Sequence, residues 1–265
     1  MTAGFSYSVS SPYMIKCKED TSGRCPTREV MKYLAKEPLL FEPGENWQYS
    51  LCHDVLAALV EVLTGEKFED YIKKNIFDVL GMNDSTFMLP DDELDTIAQQ
   101  YIYKNNKPVN IGKSIYNYKI GCEYASGGAG CISTVDDYMK FLEALRTNVL
   151  LKKETVDLLT INRLSSKQMA NFSKKSTHGY SLGFRCPNGI KYYDDFGWGG
   201  AAGAFLSIDR DRNMSIYMGM HIISSPVQGL RQMVYRFARA ELFDMSELDS
   251  IYEELKGLID YNFTF

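Results

Sequence analysis

The chain has 265 residues, 45% hydrophobic and 24% charged, enough apolar material for the core of an ordinary globular protein of one large domain or two intimate ones. Its 29 basic and 34 acidic residues are interspersed and leave a formal net charge of −5, so there is no basic footprint for a phosphate backbone and nucleic acid is not an expected partner. No stretch approaches the roughly 18 consecutive apolar residues of a membrane helix, and Met1-Thr2-Ala3-Gly4-Phe5 is not a basic-then-apolar leader, so the sequence as written reads as cytoplasmic with no membrane segment.

The first 26 residues, rich in Ser, Gly, Pro and Lys without a period, read as loop, and a short helix is expected from Pro26-Thr27 to Lys36. A Pro43-Gly44 turn leads through Trp47-Gln48-Tyr49-Ser50 into Val55, Leu56, Leu59, Val60 and Leu63 at helical spacing, closed by Gly65. Phe68, Tyr71, Ile72, Ile76, Phe77 and Leu80 form a second helix ending at Gly81, and residues 86–89 a short extended piece. Asn105-Asn106 marks a surface hairpin. Thr134 and Asp137 stand at capping separation before a helix running to about Arg146, a further helix is expected over residues 152–161, and residues 165–176 read as a mobile surface loop. Residues 179–186, 204–208 and 214–220 alternate as antiparallel strands, and helices follow over 227–242 and 246–259.

The six cysteines show no C-x-x-C spacing and read as reduced packing residues, with Cys17 and Cys25 spaced to close a small loop only in an oxidising compartment. Three scattered histidines, His53, His178 and His221, make no local zinc motif, so neither a metal nor a cofactor is expected. Three places invite chemistry. Tyr49 sits just before or within the first turn of a helix, where backbone amides stabilise a phenolate; the plainer reading is a half-buried rim residue. His53, four residues on, either shares that face and tunes the phenol or is simply a helix-surface histidine. Gly197-Trp198-Gly199-Gly200-Ala201-Ala202-Gly203, at the head of an expected strand, offers a backbone N–H to an oxyanion or is a turn avoiding steric strain. Gly127-Gly128-Ala129-Gly130 precedes a helix, as an anion site would, or is a close loop-to-core crossing.

Taken in order, these segments resemble the serine β-lactamase and penicillin-binding-protein-like superfamily, in its class C β-lactamase and carboxylesterase branch. Residues 1–7 are similar to its T-S-G-F loop, and Phe41-Glu42-Pro43-Gly44-Glu45-Asn46-Trp47-Gln48-Tyr49-Ser50 to its F-x-P-G-x-x-W-x-Y-S segment. Further matches lie at residues 76–82, 127–134 and 196–203. The resemblance implies an α/β fold of the α+β type: an antiparallel sheet flanked by helices, a mostly helical lobe, and a cleft between them. On that basis residues 1–265 are a single incomplete domain, with a mostly helical lobe over 27–175, sheet-lobe strands and a helix over 176–245, and an extra helix over 246–265. The implied chemistry is acyl transfer. The serine of S-x-x-K attacks a carbonyl, the lysine and a tyrosine exchange protons with it, and a strand end completes the oxyanion hole. Tyr49 matches that tyrosine, Trp198, Gly199 and Gly200 match the strand, and the N–H of Ala201 matches the oxyanion donor.

Leu51 stands where the lactamases place Asn, and Trp198 where they place Lys, which favours a small ester or amide over a β-lactam as the small-molecule ligand. No serine in the sequence has a lysine three residues on. The nucleophile helix and the first strands of the sheet are therefore expected to be missing, either because this is the later part of a longer serine hydrolase or because the chain is a non-enzymatic binding or regulatory module. Core surface left bare in that way implies self-association.

Overall fold

The computed structural model describes residues 1–112, 120–172, 178–188, 196–226, 229–243 and 245–262. The opening residues are not all loop: helix α1 spans Pro12–Asp20. Ser11 caps it by accepting from the Met14 N–H at 3.3 Å, and Pro12 supplies the pre-set φ of the first turn. Only Met14 and Cys17 on this helix are buried, a stripe too narrow for a helical period to show in the sequence. They pack on Val30 and Leu34 of α2 (Thr27–Leu34).

Helix α3 (Cys52–Thr64) ends where Gly65 turns left-handed at φ 74°. The expected second helix forms as α4 (Phe68–Ile72) and α5 (Asp78–Leu80), joined by one widened π turn over Lys73–Phe77. Thr86 bridges to Ile132. Helix α6 (Val135–Arg146) begins as the capping spacing predicts, with the Thr134 hydroxyl accepting from the Asp137 N–H at 3.2 Å. Helix α7 (Lys153–Asp157) tightens into a 3₁₀ turn over Leu158–Thr160. The expected mobile loop is instead helix α8 (Ser166–Phe172) as far as residue 172, its remainder lying outside the described residues. Its polar sequence hides a buried Gln168, whose amide donates to the Gly44 carbonyl at 2.6 Å and accepts from the Ser165 N–H at 2.8 Å. Helices α9 (Leu230–Phe243) and α10 (Leu248–Asn262) close the chain, and the expected start at Val227 lies outside the described residues.

Strands β1 (Gln100–Lys104) and β2 (Lys107–Gly112) form the expected hairpin, with Asn105 and Asn106 at φ 53° and 57°. The larger sheet is an antiparallel meander of β3 (His178–Tyr180), β4 (Arg185–Pro187), β5 (Phe196–Gly199), β6 (Phe205–Asp209) and β7 (Met214–Met218). Strand β8 (Ile222–Ile223) leaves it to run parallel to β1. Residues 179–186 are thus two strands, not one: the Ser181 N–H bonds to the Phe184 carbonyl at 2.8 Å, and Gly183 at φ 94° permits the reversal. One face of the meander is covered by α6 and α7, where Leu142, Leu145, Val156 and Leu159 pack with Phe196 and Ile208. The architecture is the antiparallel sheet flanked by helices that the sequence implied. Among the described residues no helix is long and apolar enough to cross a membrane.

Candidate active site

Tyr49 is set in place from two sides. Residues 1–6 run beside residues 40–51, with the N–H groups of Leu40, Gly44, Gln48 and Leu51 donating to the carbonyls of Gly4, Thr2, Met1 and Ser6 at 2.8, 2.8, 3.0 and 3.3 Å. Gly4, at φ 83°, lies so close to Phe41 that a Cβ would stand 2.4 Å from its carbonyl oxygen. On the other side Leu51, only 4% exposed, points into the core with Met14, Val30 and Tyr124. An apolar residue at position 51 therefore anchors the start of α3, and its neighbour Tyr49 is left half-buried.

The ring of Tyr49 stacks on Trp198 of β5, centroid to centroid 6.2 Å at an interplanar angle of 10°. Around this pair stands a wall of further aromatics. Tyr7 lies 5.3 Å from Tyr49. Tyr180 of β3 meets Trp198 and Trp47 edge-on at 5.5 and 5.8 Å, and Phe172, the last residue of α8, meets Trp47 at 4.9 Å. Both tryptophans of the chain belong to this wall. Sequence reasoning found Tyr49 and Trp198 but missed Tyr7, Trp47, Phe172 and Tyr180 as their neighbours; only Trp47, two residues from Tyr49, was within reach of a local signal.

His53 serves Tyr180 and not Tyr49, its Nε2 lying 3.3 Å from the Tyr180 hydroxyl. The four-residue spacing brings side chains together only inside a helix, and Tyr49 precedes the first residue of α3, Cys52. Burial holds the His53 imidazole below its usual range. Burial first, and then the nearby Tyr49 and Cys52, push the Tyr180 phenol upward, so it stays protonated at neutral pH.

The glycines of residues 197–203 lead into β6, as expected, and also reach back into β5. They are the end of β5 and the turn into β6, and two of them are demanded by close approach. A Cβ on Gly197 would stand 2.4 Å from the Leu206 carbonyl across the ladder, and one on Gly203, at φ 108°, 2.6 Å from the Met220 Cβ. The turn is tied internally by Gly200 N–H to Ala204 O at 2.7 Å and Gly203 N–H to Gly200 O at 3.1 Å. From outside, Arg231 of α9 donates to the carbonyls of Gly200 and Ala204 at 2.8 and 2.9 Å. Burial lowers the pKa of this guanidinium. Ala201 lies exposed on the turn, beyond Gly199 and Gly200.

Residues 127–130 make the close crossing and not an anion cradle. A Cβ on Gly127 would meet the His53 carbonyl at 2.4 Å, and one on Gly128 the Asp54 carboxylate at 2.9 Å. Asp54 itself, 2% exposed, accepts from the hydroxyls of Tyr124 and Ser126 at 2.7 and 2.5 Å. The glycines thus let the loop press on the first turn of α3. Among the described residues no group of three or more His, Cys, Asp or Glu converges as a metal site.

A meander sheet packed under helices, with a tyrosine ahead of a helix stacked on a Trp-Gly-Gly strand end, is an architecture of the β-lactamase and penicillin-binding-protein-like class. The model of the beta-lactamase family matches residues 1–224, and the chain belongs to that family. Among curated relatives it is 28% identical over 242 residues to the esterase EstB of Burkholderia gladioli, covering 78% of this chain and 59% of the relative. It is 31% identical over 214 residues to the acyltransferase MokF of Monascus pilosus, covering 75% of this chain and 49% of the relative. The chain thus spans about half to three fifths of the length of these relatives. In fold it is similar to unliganded simvastatin synthase from Aspergillus terreus, with a TM-score of 0.71 at 23% identity, covering 91% of this chain and 67% of that one.

Proposed function

We propose that this chain carries the tyrosine and strand-end part of an esterase or acyltransferase that moves acyl groups between small esters, amides or alcohols, and that the chain is inactive alone. The observation that carries the reading is the Tyr49–Trp198 stack, which joins two motifs far apart along the chain at one aromatic wall. In this reading Tyr49 takes the proton of an attacking hydroxyl and returns it to the leaving group. The N–H of Ala201 donates to the developing oxyanion, and Trp198, Gly199 and Gly200 border the acyl group. Leu51 acts by anchoring the Tyr49 loop. The relatives named as an esterase and an acyltransferase support the reaction class. The wall around Tyr49 is aromatic and carries no lysine at position 198, which supports a neutral ester or amide over a β-lactam carboxylate.

In this reading the missing element is the family's S-x-x-K segment, since no serine of this sequence has a lysine three residues on. Turnover is then a property of a longer protein. Leu56, Leu59, Val62 and Leu63 of α3, exposed by 46 to 75%, support self-association of the chain by itself. A cytoplasmic location is part of the same proposal. A ligand-binding role without turnover is the second reading, favoured by the lack of an S-x-x-K segment in the sequence.

The test is treatment with a fluorophosphonate and with a penicillin, followed by mass spectrometry, beside hydrolysis of p-nitrophenyl acetate and nitrocefin by the chain and by Tyr49→Phe. No adduct and no Tyr49-dependent turnover are expected. A covalent adduct on any serine overturns the reading.

A further inference from the structure

Cys17, in the latter half of α1, and Cys25, on the turn into α2, are both 0% exposed and share the core cluster that holds Leu51 and Tyr124. Thr21 ties them together. Its hydroxyl donates to the Cys17 carbonyl at 2.7 Å, lies 3.4 Å from Cys25 Sγ, and accepts from the Cys25 N–H at 3.0 Å. The turn between them passes through the left-handed region at Ser22, Gly23 and Cys25, with φ of 52°, 77° and 48°, a conformation that two of the three residues adopt only under constraint. Gly121 supplies part of that constraint by lying so close that a Cβ there would stand 2.6 Å from the Cys25 Cβ. Burial pushes the Cys17 thiol up to about 12. The Thr21 hydroxyl, on the Cys17 carbonyl and against Cys25 Sγ, gathers the two residues at one place in the buried cluster.

We infer that Cys17 and Cys25 form a dithiol site that a small-molecule disulfide converts to an intramolecular disulfide, stapling α1 to the entry of α2. One cysteine thiolate attacks oxidised glutathione, forming a mixed disulfide and releasing one glutathione thiolate. The second cysteine thiolate attacks the protein sulfur of that mixed disulfide and releases the other glutathione. Two cysteine thiols give up two electrons and two protons, and one glutathione disulfide becomes two glutathione thiols. Because the sulfurs are shielded and thiolate is scarce, the reaction runs slowly, through opening of residues 21–25. The other four cysteines stand outside this pair: Cys52 and Cys186 are not members of the cluster, and Cys122 and Cys131, being exposed, take up glutathione as mixed disulfides instead. The inference is independent of any catalytic role for the cleft.

The experiment equilibrates the folded chain with glutathione buffers of increasing oxidised fraction, alkylates the remaining thiols, and maps the linked peptides. Expected are a linked peptide pair containing Cys17 and Cys25, about 2 Da lighter than the two thiol peptides together, and a melting temperature raised on the order of 5 °C over the reduced form. Cys122→Ser keeps the linkage and Cys17→Ala abolishes it; should Cys17→Ala not fold, the map of the wild-type chain decides. The inference is overturned by a Cys25–Cys122 link, by glutathione adducts that persist on Cys17 or Cys25, by both thiols staying alkylatable at the most oxidising ratio, or by an oxidised form that melts below the reduced one.

Discussion

Replacing Gly197 with alanine tests whether the candidate site depends on how closely two strands approach. The added Cβ would stand 2.4 Å from the Leu206 carbonyl oxygen and 2.6 Å from Arg185 Nη2. The arginine can swing away, but the carbonyl belongs to the neighbouring strand. Carbon and oxygen settle at about 3.3 Å or more in such sheets, so β5 and β6 must part by roughly 0.9 Å. Overpacking of this kind costs about 1–3 kcal/mol, and stretching a ladder hydrogen bond about 1 kcal/mol more. Together these predict a melting temperature lowered by roughly 4–16 °C at about 2–4 °C per kcal/mol for a chain of this size. Trp198 is the next residue and one of only two tryptophans, so its emission should shift with the strand. Gly200→Ala is the matched comparison: its Cβ would meet Ala204 Cβ at an ordinary 3.5 Å, and a change within about 0.5 kcal/mol is expected. Thermal unfolding followed by circular dichroism and tryptophan fluorescence reads both variants. A Gly197→Ala protein as stable as Gly200→Ala, with unchanged emission, would refute the argument that interstrand approach dictates this glycine.

Asp137, 1% exposed, accepts from Lys140 Nζ at 2.7 Å, the Asp84 N–H at 2.7 Å and the Ser85 hydroxyl at 3.0 Å. Burial opposes its charge, yet these donors hold its carboxyl below the usual 3.8. The folded form therefore binds the proton less readily than the unfolded chain. The resulting stability is fully present above 3.8 and is lost as pH falls through the lower folded value. Asp137→Asn should flatten the acid limb of the stability curve in that window, measured by urea unfolding at stepped pH, and an unchanged limb counts against it. Arg231→Met removes both donors to the carbonyls of Gly200 and Ala204 while keeping the apolar stem. A loss of about 2–4 kcal/mol and faster amide exchange at residues 200–204 are expected, with unaltered exchange there as the contrary result.

Helices α3 and α6 were legible because wide apolar stripes meet unambiguous ends, Gly65 in one case and the Thr134 cap in the other. The hairpin at Asn105 and Asn106 was legible for the same reason, since its turn needs two residues that tolerate positive φ. Helices α1 and α8 were not, because each buries one or two side chains and otherwise reads as a polar, proline- or serine-rich segment. The family motifs singled out Tyr49 and Trp198 one at a time. That their rings stack, that Tyr180, Trp47 and Phe172 close around them, and that His53 turns to Tyr180 instead of Tyr49 depended on which surfaces the folded chain presses together. Caps, turns and periods are settled by residues a few positions apart, so they can be read along the chain. Ring contacts arise from packing between segments that no local rule connects.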